Sequence, residues 1–394
     1  MKYDFDQVID RRGTNCSKWE GMRSFDPRAG EGMLPFWVAD MDFACPPCVI
    51  EALHARVERQ IFGYSEPGER FYRAAADWCR ARHGLLLERE ALVTSPGVVP
   101  ALGYLVRLMT QPGDGVIIQT PVYYPFARKI KEAGRIVVEN SLTLQPDGRY
   151  VMDFEDLRRK GKDNKLLILC SPHNPVGRVW TREELETLVD ICAENGVKII
   201  SDEIHSDLLR VGAIHTPTQS VRAEYQENIV TCFAPSKTFN LAGMQCAFVV
   251  INDGTLRARW KEHVAAAGCS GPGPLSIVTT QAAYEGGAQW LDELRVYLDG
   301  NIAFMAEYLA RHMPKARFDP PEGTYLTWID FRAYGLAMDA LMEAFVSHGA
   351  LPEAGAIFGA GGEGFVRMNI ACPRSILREG LSRMASALDE VARA

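Results

Sequence analysis

Three short polar runs each follow a stretch of branched apolar residues: Ser171-Pro172-His173-Asn174-Pro175-Val176-Gly177, Asp202-Glu203-Ile204-His205 and Pro235-Ser236-Lys237-Thr238-Phe239-Asn240. A fourth, Thr94-Ser95-Pro96-Gly97-Val98-Val99-Pro100, follows a shorter apolar run and opens a helical pattern. The first N–H groups of a helix have no partner within it, so Gly97, Val98 and Val99 would present free donors to an anion such as a phosphate. In open α/β sheets ligands bind in the crevice at the carboxyl ends of the strands, which is where all four runs would lie. Asn, Asp and Lys then converge on one rim. A lysine for a Schiff base, a carboxylate to keep a pyridine nitrogen protonated and helix-terminal dipoles for a phosphate are the groups that pyridoxal phosphate requires. Desolvation lowers the pKa of such a lysine and frees an amine for imine chemistry and proton transfer. Asp202 must stay ionised to do its part.

The elements that must position these residues are visible in the hydropathy pattern. Between about 90 and 250, apolar runs at 115–118, 165–170, 197–201, 229–234 and 247–251 alternate with amphipathic stretches. That rhythm predicts βαβ units around a mostly parallel sheet flanked by helices. One helix is well punctuated: Thr181 and Glu184 form a T-x-x-E capping box, Leu185, Leu188, Val189 and Cys192 recur at helical spacing, and Gly196 stops it. A long helical pattern through Trp290, Leu294, Leu298, Ile302 and Leu309, interrupted near Gly300, leads into a smaller α/β unit. That unit should hold strands at 324–329 and 364–370 and a closing helix at 375–392, with the first 45 residues wrapping onto it. The expected division is 1–45 as an N-terminal segment joining the small domain, 46–284 as the large cofactor-binding domain and 285–394 as the small domain.

With 394 residues, 47% of them apolar and 24% charged, the chain has the composition of an ordinary globular protein. Its net charge of -7 is the wrong sign for a protein that neutralises nucleic-acid backbones. No run reaches the roughly 18 apolar residues of a membrane span. The charged opening MKYDFDQVIDRR lacks the apolar core of a secretory leader, so a cytoplasmic location with ten reduced cysteines is expected. Two decoys are set aside. Residues 359–364, GAGGEG, fit G-x-G-x-x-G but lead into a strand instead of following one and opening a helix. Asp202, Glu203 and His205 offer metal-type side chains, but nothing at recognised spacing completes a ligand set, and no metal is expected. The pair Cys45 and Cys48 has redox or zinc spacing with no second half-site after it.

SPHNPVGRVW, SDEIHSDL and APSKTFNLAGMQ, in this order and spacing, closely resemble the class I/II aminotransferases, the fold type I pyridoxal phosphate enzymes. More narrowly, they look like the MalY/PatB group of carbon-sulfur β-lyases. WVADMDF at 37–43, FGYSEPG at 62–68, TPVYYPF at 120–126, GTYLTWID at 323–330 and GFVRMNIACPR at 364–374 extend the match over nearly the whole chain. The resemblance implies a large domain with a mostly parallel sheet of the seven-stranded type, plus a smaller domain built from both termini. It implies that Lys237 forms the Schiff base, Asp202 pairs with the ring nitrogen, Asn174 donates to the ring hydroxyl oxygen, and Tyr123 stacks on the ring. Ser236 and His205 complete the cofactor set. Tyr64 would reach the phosphate from the neighbouring subunit of a homodimer, and Arg367 would clamp the substrate carboxylate, with Asn174 and Tyr64 beside it. Strand alternation independently puts Arg367 and Asn369 on one face and Val366, Met368 and Ile370 on the other.

Two departures from the usual aminotransferase pattern matter. Gln245 stands eight residues after the lysine, where those enzymes commonly carry a phosphate-binding Arg, and Ala234 replaces Ser three residues before it. Phosphate binding must lean on other groups. His205 occupies a position where many aminotransferases have tyrosine, and both His205 and Gln245 look like the lyase subgroup. The expected reaction is β-elimination from L-cystathionine or a cysteine S-conjugate, giving a thiol, pyruvate and ammonia. An aminotransferase shares every residue named up to the loss of the α-proton. A regulatory or binding protein on the same fold is the alternative of a different class.

Overall fold

The computed structural model describes residues 1–269 and 271–393. Its centre is a seven-stranded sheet whose strands are β1 (Leu92–Ser95), β2 (Gly115–Ile118), β3 (Ile136–Glu139), β4 (Leu166–Cys170), β5 (Lys198–Asp202), β6 (Ile229–Phe233) and β7 (Ala247–Ile251). They lie in the order β1-β7-β6-β5-β4-β2-β3. Only β7 runs antiparallel to its neighbours, β1 and β6; the rest are parallel. Central strands of such a sheet are covered on both faces, which explains why β4, β6 and β7 are fully buried and, apart from Thr231 in β6, apolar throughout.

The helices that cover it begin and end where the sequence chemistry dictates. The helix Arg182–Asn195 starts in the reciprocal Thr181/Glu184 capping box and stops at Gly196 in the left-handed conformation. Such a cap contributes about 1 kcal/mol and fixes where β5 begins, and so where Asp202 ends up. The long C-terminal helical pattern is interrupted at Gly286 and Gly287, between helices Pro274–Gly286 and Ala288–His312, and not at Gly300 as expected. Gly300 is a packing residue inside the second helix, where a Cβ would sit 2.7 Å from an Arg374 nitrogen. At Gly287 a Cβ would meet the Phe239 ring at 2.4 Å.

The C-terminal sheet has four strands, β8 (Arg317–Phe318), β9 (Leu326–Asp330), β10 (Glu353–Ala354) and β11 (Phe365–Asn369), in the order β8-β9-β11-β10. The closing helix is Arg374–Val391. The N-terminal segment joins this part of the molecule: Leu34 and Pro35 pair in parallel with Ala350 and Leu351, and Phe36 fills the space over Gly380. Segment 38–43 is then pinned from two sides. Asn369 Nδ2 donates to the Val38 and Asp40 carbonyls at 2.6 Å each, and Asn240 Nδ2 donates to the Met41 and Phe43 carbonyls at 3.0 Å each. Lys18, 1% exposed, anchors the same segment through Asp42 at 2.6 Å. Residues 359–364 join the helical turn Gly355–Phe358 to β11 and open no helix.

Candidate active site

The carboxyl ends of β1, β4, β5 and β6 bring the four polar runs around one cavity of about 180 Å³. Gly97, Val98, Val99, Tyr123, Asn174, Asp202, His205, Ser236, Lys237 and Gln245 all line it. A larger hollow of about 720 Å³ lies under the N-terminal segment, but its lining contains no lysine and none of these residues. Two expected site residues stand apart from the cavity wall. Tyr64 is fully exposed on segment 60–68, away from its own chain's cavity. Arg367 stands behind Asn174, donating from Nη1 to Asn174 Oδ1 at 3.1 Å.

Lys237 sits on the single helical turn Pro235–Thr238 that follows β6. Its neighbour Thr238 donates to Asp207 Oδ2 at 2.7 Å, and two residues further on Asn240 grips the 38–43 segment, so the turn is held on both sides. The Lys237 ammonium donates to the Ala39 carbonyl, which also accepts from the Tyr325 hydroxyl at 3.0 Å. Burial brings the Lys237 pKa down to about 8, with Asp40 and Asp202 opposing. An amine that loses its proton near neutrality is available as nucleophile and base.

Asp202 terminates β5. It is buried, accepts one hydrogen bond, from the Ile204 N–H at 3.2 Å, and burial pushes its pKa up to about 7. His205 is buried on the same wall with Nδ1 unpartnered, and burial lowers its pKa to about 3, so it is a neutral imidazole. Tyr123 lies across the cavity, its hydroxyl held protonated by burial. At one end the helix Val98–Met109 points its amino terminus inward from Gly97.

This lining fits pyridoxal phosphate on its own terms. Asp202 is a buried carboxylate with one donor and no charged partner in contact, and a pyridinium N–H would supply both. The free helix terminus suits a dianion. Gln245, in the left-handed conformation just before β7, lines the same cavity. Asn174, with its oxygen committed to Arg367, has its amide N–H groups left to donate.

Several participants carried no usable signal in the sequence. The Ala39 oxygen is a backbone atom, and residue type says nothing about it. Tyr325 and Asp207 lie inside motifs whose other members drew attention. Glu353, paired with Arg367, sits on a two-residue strand in an irregular stretch. Of Asp202, Glu203 and His205, only Glu203 is tied up by the fold, through His215, Ser201 and Thr218; among the described residues no group of three or more His, Cys, Asp and Glu side chains is placed to hold a metal ion. Cys45 and Cys48 are unpaired, and burial raises both thiols.

Residues 31–384 match the family model described as aminotransferase class I and II. The chain is 41% identical over 393 residues to cystathionine β-lyase PatB of Bacillus subtilis, covering 98% of this chain and all of that one. Among solved structures, cystalysin from Treponema denticola, which contains pyridoxal 5'-phosphate, is 38% identical with a TM-score of 0.95, covering 99% of this chain and 100% of its own. The pyridoxal phosphate-bound C-S lyase from Staphylococcus hominis is 37% identical with a TM-score of 0.91, over 98% and 99% of the two chains.

Proposed function

The chain belongs to the aminotransferase class I and II family, and we propose that it is a pyridoxal phosphate-dependent carbon-sulfur lyase acting on L-cystathionine or cysteine S-conjugates. The products are a thiol, pyruvate and ammonia. The observation that carries this reading is the pairing of a softened lysine and an under-partnered buried aspartate across one cavity, in a chain whose full-length relatives are such lyases.

When bound, pyridoxal phosphate supplies an aldehyde for imine formation and a cationic ring that draws electrons from the α-carbon. The residues of this chain do the rest. Asp202 would hold the ring nitrogen's proton by placing its negative charge opposite it. Gly97, Val98 and Val99 offer N–H donors to the phosphate, with Ser236 and the Gln245 amide beside them in place of the usual arginine. Tyr123 would cover a face of the ring, and the Asn174 amide would donate to its hydroxyl oxygen. Arg367 orients the substrate by its carboxylate, a task suited to a planar fork. Lys237 takes the α-proton onto Nζ, and the Ala39 carbonyl is placed to hold the resulting ammonium. Loss of a thiolate from the β-carbon then competes with return of that proton, and a good leaving group decides for elimination.

Tyr64, Ile61 and Phe62 are exposed in the single chain. Their exposure supports a homodimer in which Tyr64 enters the partner's site, the same role that the motif at 62–68 implies. No helix among the described residues is long and apolar enough to cross a membrane, and we take the enzyme to be cytoplasmic. Incubation of the holoenzyme with L-cystathionine and no keto acid should release pyruvate and thiol in equal amounts. A strict keto-acid requirement would make the protein an aminotransferase instead. Background turnover on every thiol-bearing substrate would favour a regulatory role.

A further inference from the structure

Arg367 does not wait for a substrate with an empty fork. In the antiparallel ladder between β10 and β11, Glu353 lies directly opposite Arg367, and the two form an ion pair at 1% and 2% exposure. The remaining contacts are neutral. Nη1 donates to Asn174 Oδ1 at 3.1 Å, Nη2 donates to the Trp37 carbonyl at 2.8 Å, the guanidinium carbon lies 4.9 Å from the centre of the Phe358 ring, and Nε is buried without a partner. Arg367 is the one cation in ion-pair contact with Glu353 among the described residues. The other titratable groups that sense the Glu353 charge are the hydroxyls of Tyr123 and Tyr124, both kept protonated by burial.

One guanidinium neutralises one carboxylate. A substrate carboxylate arriving at Arg367 therefore creates two buried anions around a single cation, an arrangement that like-charge repulsion and desolvation both oppose. Protonation of one of them removes the excess charge. Glu353 is the candidate because it is enclosed on a strand, and burial already shifts it toward the protonated form.

We propose that Glu353 is a proton-linked counter-ion of the carboxylate clamp: it neutralises Arg367 when no substrate is present and takes one proton from solvent when a substrate carboxylate docks. The proton returns to solvent when the ligand leaves, so the step is a reversible acid-base exchange with no other reactant. This inference rests on the reading of Arg367 as the clamp. By linkage, binding coupled to proton uptake weakens as pH rises above the Glu353 pKa.

Propionate, which carries the carboxylate without an amine, is the probe, and its binding to the holoenzyme is followed through the absorbance of the bound cofactor. The wild-type Kd should rise by up to about tenfold per pH unit on the alkaline side. Titration calorimetry in phosphate and in Tris, whose ionisation heats differ, should report uptake of about one proton per propionate near neutral pH. In Glu353→Gln the slope should flatten and propionate should bind more tightly than to wild type at alkaline pH. Zero proton uptake by the wild type, or the same slope in Glu353→Gln, overturns the proposal; the calorimetry needs no variant to fold. Arg367→Gln separates the two levels. If it leaves propionate affinity unchanged, the clamp itself is misassigned, whereas weakened binding by Arg367→Gln together with zero proton uptake by the wild type overturns the role of Glu353 alone.

Discussion

Asp202 and Glu203 are consecutive, both carboxylates and both buried, yet the two sides of the chain treat them in opposite ways. Glu203 faces the back of the rim, where it accepts from His215 Nε2 at 2.8 Å, Ser201 Oγ at 2.9 Å and the Thr218 N–H at 2.9 Å. Burial works against its charge, but His215 and these donors hold its pKa below the usual carboxylate range. Asp207, one turn on, is treated likewise by Trp78, His83 and Thr238. Asp202 faces the front with one backbone donor, and burial pushes it up to about 7. A buried charge whose partners are all supplied by the fold is structural, and one whose partners are missing is waiting for a ligand.

Changes on the front face should destroy chemistry and spare the fold. Lys237→Ala should lower pyruvate formation by about 10⁴-fold or more and abolish the visible absorbance of the bound cofactor. Asp202→Asn should leave the cofactor bound but reduce kcat by about 10²- to 10³-fold, as loss of a directed electrostatic contact does. Wild-type kcat in that variant would erase the distinction between the two carboxylates.

Changes on the back face should cost stability. Asp207→Ala leaves Trp78, His83 and Thr238 without their acceptor, and urea denaturation should register a loss of about 3–5 kcal/mol. If Asp207→Ala proves as stable as wild type, the partnered network is ornamental and the comparison fails.

The smallest effect is one of pH and concerns the cofactor-free protein. The folded pKa of Asp202, about 7, lies above its ordinary value of 3.8, so the folded state binds the extra proton between those values. Stability therefore falls as pH rises through that window, and Asp202→Asn should gain on wild type by on the order of 1–3 kcal/mol at alkaline pH but not at acid pH. Glu203 and Asp207 have the opposite sign. Their folded pKa values are lowered, so their contribution is present above the ordinary carboxylate pKa and is lost as pH falls through the folded one. Denaturant midpoints of the apoprotein at acid and alkaline pH check both signs.

This contrast between neighbouring carboxylates could not be read from the sequence, although the rim itself could. Apolar runs followed by polar punctuation placed Asn174, Asp202 and Lys237 together, because a parallel sheet leaves that arrangement little freedom. The T-x-x-E box and Gly196 gave one helix both its ends, because capping is a local interaction. What escaped is non-local or lies in the backbone. The Ala39 oxygen reaches Lys237 across 198 positions, Asp207 meets Trp78 across 129, and Glu353 meets Arg367 only because a two-residue strand aligns them. Gly300 and Gly287 show the same limit, since both are glycines in one apolar pattern and only packing decides which of them ends a helix. Tyr64 is exposed in the single chain, and the role proposed for it needs a second one.

The central claim is that the Lys237 amine carries the cofactor. Borohydride reduction of the holoenzyme followed by peptide mass spectrometry tests it directly. One reduced pyridoxyl phosphate per chain is expected, on the peptide containing Ser236-Lys237-Thr238; modification of another lysine, or of none, would rule Lys237 out.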